Sequence, residues 1–113
     1  MFLKDECGST DSSLVNASFM VERYGAPDRV ILRYIEHPWD YVTILEWDKQ
    51  EGEEKTPVSL ELTGFSWGYN GTGPNGLAKF LASISDRDHR SWIKEIAAID
   101  RDIHNYEIYK KLK

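Results

Sequence analysis

Apolar and polar residues follow one period in the first half of this chain and another in the second. Between residues 29 and 62 they alternate, the two-residue repeat of a strand. From residue 77 they recur every three or four, the repeat of a helix. RVILRYIE, residues 29–36, predicts the first clear strand, with Val30, Leu32 and Tyr34 on one face and Ile31, Arg33 and Ile35 on the other. Both faces are largely apolar, which predicts a central position in a sheet. YVTILEWD, 41–48, places Val42 and Ile44 on one face and Tyr41, Thr43, Leu45 and Trp47 on the other. PVSLEL, 57–62, turns Val58, Leu60 and Leu62 inward and Ser59 and Glu61 outward. LVNASFMVERY, 14–24, mixes the two residue classes and reads as a further strand, closed by the turn signal GAPD at 25–28. Residues 1–13 read as a loop or frayed end. HPWD, 37–40, breaks the sheet pattern at His37 before Pro38. Its Trp39 lies in a strand connection, where an exposed ring would mark an interface. KQEGEEK, 49–55, reads as an exposed acidic hairpin loop with Gly52 at its tip.

Beyond the sheet, Leu77, Phe80, Leu81 and Ile84 form one helical stripe, and Trp92, Ile96, Ile99 and Ile103 form a second. They predict helices near 75–85 and 89–108, with Asp88 capping the latter. Strands first and helices afterwards make an α+β fold. The expected architecture is an antiparallel meander of three or four strands, then two helices packed on one face, in a single domain spanning 1–113.

Composition narrows the function. Residues 1–56 hold twelve acids against six bases, whereas 57–113 hold seven against eight. A general nucleic-acid binder needs a basic face to displace counterions, so that class is disfavoured. An acidic half suits a solvated surface or docking on a basic partner. Cys7 is the single cysteine, so the chain forms no internal disulfide. His37, His89 and His104 show no metal spacing, and no nucleophile sits in a known catalytic motif. The reading therefore assigns no metal, no cofactor and no catalytic residue. No segment has the length or apolarity of a membrane span or a signal peptide, which predicts a cytoplasmic protein without membrane association. The aromatic content leaves a homo-oligomer open.

One stretch stands apart from scaffold: GFSWGYNGTGPNGLAKFL, starting at Gly64. Three aromatics lead into a glycine-rich run at the start of a helical stripe. Pro74 fits the first helical position, where its missing N–H costs nothing. The backbone donors around it would then form a helix start that attracts phosphate or carboxylate, with glycines letting a ligand approach. Trp67 and Tyr69 would supply a stacking wall. The expected ligand-binding set is Trp67, Tyr69, Asn70, Gly71, Thr72, Gly73, Asn75 and Gly76. The competing reading is a tight strand-to-helix turn whose glycines satisfy geometry while Phe65, Trp67 and Tyr69 pack in the core. Gly71 to Gly76 spells G-x-G-x-x-G, but no strand immediately precedes it and no βαβ unit follows, so the dinucleotide reading fails. Lys79 is too far from Gly76 to be a Walker lysine.

Gly64-Phe65-Ser66-Trp67-Gly68-Tyr69-Asn70-Gly71-Thr72-Gly73-Pro74, followed by Leu77-Ala78, resembles the signature of a family of small uncharacterised bacterial and phage proteins. The match is confined to residues 64–78. It implies a setting, often mobile elements, and no mechanism. The function expected from the residues is a non-enzymatic protein holding an anionic, nucleotide-like ligand, for which sequestering a host immune signal is one fitting role. The alternative is an acidic interaction protein that regulates a basic host enzyme by direct contact. An enzyme acting on a nucleotide is the weakest reading.

Overall fold

The computed structural model describes residues 2–5, 8–36, 40–51 and 56–111. Its elements in chain order are β1 (Phe2–Lys4), α1 (Thr10–Tyr24), β2 (Arg29–Ile35), β3 (Asp40–Glu51), β4 (Thr56–Leu62), α2 (Thr72–Ile84), α3 (His89–Ala97) and β5 (Tyr106–Lys110). The five strands form one sheet in the order β1-β4-β3-β2-β5. The class is α+β as expected, but the sheet is mixed and three helices accompany it. β2, β3 and β4 form the antiparallel meander, with Val30 opposite Leu45 and Leu45 opposite Leu60. β1 runs parallel to β4, pairing Leu3 with Leu60.

The core lies on the face carrying Val30, Leu32, Leu45, Trp47, Val58, Leu60 and Leu62. Buried residues of all three helices close over it: Ala17, Met20 and Tyr24 from α1, Leu77, Phe80 and Leu81 from α2, and Trp92 and Ile96 from α3. Val42 and Ile44 lie on the opposite face, as the alternation requires. β2 has a strand on each side, as expected of an internal strand, but only its Val30 and Leu32 face is buried; Ile31 is half-buried and Ile35 exposed.

Three expected elements differ. Residues 14–24 are helical, not extended. Ser13, Ala17, Met20 and Tyr24 recur as a buried helical stripe. Ser9 caps the helix by accepting a hydrogen bond from Ser12 N–H, and Gly25 closes it by donating its N–H to Val21 O. The pattern misleads because Val15 and Phe19 put apolar residues on the solvent side as well. The first thirteen residues are not a frayed end throughout. β1 joins the sheet edge, and Asp5 N–H donates to Glu61 O. The last helix stops at Ala97, and 106–110 forms an edge strand on β2. Ile99 and Ile103 continue the helical spacing but pack from a turn segment. There Tyr34 N–H donates to Ile103 O, and Asn105 adopts φ 55°. Asp88 caps α3 as expected, its carboxylate accepting from Ser91 N–H at 2.8 Å.

The acidic connection also shifts. β3 continues through Glu51, with an irregular register between Trp47 and Gln50, so Lys49 belongs to the strand and not to a loop. Lys49 Nζ donates to Tyr24 O. Gly52, Glu53 and Glu54 lie outside the described residues, as do Cys7, His37, Pro38 and Trp39.

Candidate functional site

The stretch from Gly64 to Gly76 bridges β4 and α2 and is fastened at both ends. Gly64 N–H donates to Ser13 Oγ at 2.9 Å, and Gly64 O accepts from Thr10 Oγ1 at 2.7 Å. Ser13 Oγ in turn donates to the buried Asp5 carboxylate at 2.9 Å. The loop, α1 and the N-terminal strand thus share one polar junction.

The aromatics divide. Phe65 and Trp67 are fully buried. The Phe65 ring stacks against Phe80, and Trp67 meets Tyr41 edge-on at 4.9 Å. Trp67 Nε1 donates to Arg101 O at 2.9 Å, which satisfies its only polar atom. It therefore cannot serve as the stacking wall expected of it. Tyr69 is 48% exposed, with its hydroxyl hydrogen-bonded to Ser66 Oγ. Around this cluster, burial pushes the Tyr41 phenol above its ordinary range. Tyr69 and Tyr34 act in the same direction, and Arg101 opposes them.

The glycines are mostly spacers. A Cβ at Gly73 would overlap the Ser66 hydroxyl, and one at Gly76 would overlap the Thr10 methyl. These are close approaches between α2, the loop and α1, not openings for a ligand. Gly73 itself is buried in α2, so positive φ is not what selects glycine there. Within the loop only Gly68 has a positive φ, of 86°.

Helix α2 begins one residue after Gly71, so Pro74 occupies the third helical position and not the first. It remains harmless there, because that N–H is still one of the four unpaired donors of a helix start. The N-cap residue of α2, Gly71, has no side chain to cap this end. The N–H groups of Thr72 and Gly73 have no hydrogen-bond partner among the described residues. Asn75 Nδ2 ties the turn together by donating to Asn70 Oδ1 and Gly71 O.

Beside this start lies an open cavity of about 530 Å³ between α1 and α2. Four of the expected ligand residues line it: Gly71, Thr72, Asn75 and Gly76. Trp67, Tyr69, Asn70 and Gly73 are not among its lining residues. The sequence reading missed Thr10, Asp11, Leu14, Lys79 and His89, which complete the wall. Their signal was present. Ser9-Thr10-Asp11 is an N-cap followed by an acid, the mark of a helix start. Lys79 stands two turns along α2 from Thr72, on the same face. Among the described residues no three His, Cys, Asp or Glu side chains converge as a metal site. No helix there is long and apolar enough to cross a membrane.

Comparisons with protein-family models, with curated proteins and with solved structures give no match to this chain.

Proposed function

We propose that the protein is a non-enzymatic binding protein that holds a small anionic, nucleotide-like ligand in the cavity between α1 and α2. The observation that carries this reading is that one open cavity is lined by the start of α2, Lys79 and His89. The positive end of the helix favours an anion. Of its first-turn residues, Thr72 lines the cavity with an N–H unpaired among the described residues, whereas Gly73 is buried off it and Asn75 N–H is bonded to Gly71 O. Lys79 is exposed and makes no ion pair among the described residues, so its charge is available to a ligand. Asp11 on the opposite wall disfavours a bare polyanion. It suits a ligand that also carries hydroxyl or amino donors, as a nucleoside phosphate does. The cavity volume falls in the range of about 300–1,000 Å³ typical of small-molecule sites. Binding is favoured over catalysis because the Thr10 hydroxyl is committed to Gly64 O, and neither His89 nor Asp11 is hydrogen-bonded to a hydroxyl among the described residues. The suggested bacterial or phage setting rests on the signature at 64–78 alone. The rival reading, docking on a basic host protein, draws less support, since two acids of the first half, Glu46 and Asp48, are already engaged by Arg29.

The test is a calorimetric titration with inorganic phosphate, nucleoside mono- and triphosphates and cyclic nucleotides. At least one nucleotide should bind more tightly than phosphate. Lys79→Ala should weaken it about 5–10-fold, the loss of one charge-assisted contact worth about 1–1.4 kcal/mol. Ligand at 100 times its dissociation constant should raise stability by about 2.7 kcal/mol. If no anion shifts the melting temperature at millimolar concentration, or if Lys79→Ala leaves affinity unchanged, the proposal fails.

A further inference from the structure

Helix α1 presents a row of residues four apart on its exposed side: Asp11, Val15, Phe19 and Arg23. Val15 is 67% exposed and Phe19 62%, more than any other described large apolar side chain. Asp11 and Arg23 are exposed and make no ion pair among the described residues. Their places at opposite ends of the helix suit its dipole. The dipole does not account for the two apolar residues between them.

We infer that this row is the contact by which the protein pairs with a second copy of itself. The row is complementary to its own reverse. Lay a second α1 antiparallel across the first, with the two-fold axis passing between Val15 and Phe19. Val15 then meets Phe19 of the second copy, and Asp11 meets its Arg23, each contact occurring twice. Rows of this spacing are the ridges by which helices commonly interlock. Val15 and Phe19 border a shallow open groove on the surface of α1, together with Leu14, Ser18 and Glu22, against which the second copy's Phe19 ring can lie. Glu22 borders the same groove and is exposed, so its charged end can stay hydrated. A different protein partner would need no such reversal symmetry between acid and base. Asp11 also lines the neighbouring cavity, so the pairing and a ligand there would share that side chain.

Sedimentation equilibrium on the full chain, from low micromolar to several hundred micromolar, tests the inference. The parent should show a concentration-dependent monomer–dimer equilibrium. Phe19→Glu should abolish it and, at low micromolar concentration where the parent is monomeric, leave the melting temperature unchanged, because Phe19 is exposed in the monomer. Arg23→Glu places two acids against each other at both ends and should weaken the dimer about tenfold. The double change Asp11→Lys with Arg23→Glu restores opposite charges and should bring the affinity back to within about threefold of the parent. A parent that stays monomeric throughout, a dimer indifferent to Phe19→Glu, or a charge swap that fails to rescue would each overturn the pairing.

Discussion

Gly73 and Ser66 show what glycine is selected for in this loop. The Ser66 hydroxyl occupies the space that a Cβ at Gly73 would need, and Ser66 is itself held by Tyr69. Gly73→Ala should therefore cost well over 1 kcal/mol, beyond the helix-propensity gain of removing a glycine. Ser66→Ala in the same chain should return part of that loss. A thermal melt of the two single variants and the double variant measures the coupling. If Gly73→Ala instead stabilises, the close approach is not what selects glycine. Tyr41 gives a second residue-scale expectation. Its phenol is held neutral in the folded state, with burial as the chief cause. A group whose folded pKa exceeds its unfolded value near 10 stabilises fully below that pH, and the contribution is lost as pH rises through the folded value. Stability should thus fall above about pH 10, and Tyr41→Phe should flatten that decline while leaving the curve near neutrality almost unchanged. Denaturant unfolding between pH 7 and 11 reads both slopes.

Helix α1 is the element on which the site and the sheet both depend. Its first turn supplies Thr10 and Asp11 to the cavity, and Ser13 joins it to Asp5 of the N-terminal segment and to Gly64 of the loop. Removing the Ser13 hydroxyl leaves a buried carboxylate oxygen and a buried N–H without that partner. Ser13→Ala should then destabilise by about 2–3 kcal/mol, more than the roughly 1 kcal/mol of an ordinary hydrogen bond. Amide hydrogen exchange should localise the loosening to residues 2–5 and 63–65. A change below about 0.5 kcal/mol would mean the junction is hydrated and not structural. Hairpin β3–β4 depends less on such links, because its strands pair directly along most of their length.

At the scale of the whole molecule, one helical layer covers one face of a mixed sheet, and the candidate cavity opens where the starts of α1 and α2 come together. That adjacency depends on the parallel β1–β4 pairing. A strand at the chain's start beside β4 brings the beginning of α1 next to the loop that leaves β4. The candidate site was partly legible. Gly71, Thr72, Asn75 and Gly76, which their chemistry singles out in the sequence, line the cavity. The burial of Phe65 and Trp67 follows the competing reading and the exposure of Tyr69 does not; an aromatic in a glycine-rich loop carries no period to reveal which way it faces, so the sequence offers both outcomes.

What the chain determined by itself was local. Alternation over 29–35 and 57–62 specifies strands, since a one-residue slip would turn every Val and Leu outward. The stripe from Leu77 to Ile84 specifies α2, and Asp88 the start of α3. What only the tertiary structure decided was nonlocal. α1 carries apolar residues on two sides, so its helical state follows from which side the sheet covers. Residues 99–108 continue an apolar spacing, yet β2 offers a free edge, and backbone pairing there ends the helix and makes a strand. Lys79 and His89 reach one cavity with Thr10 although the sequence places them far from it. Periodicity reports which residues share a face of one element, but burial energy, summed over contacts distant in sequence, decides which faces meet.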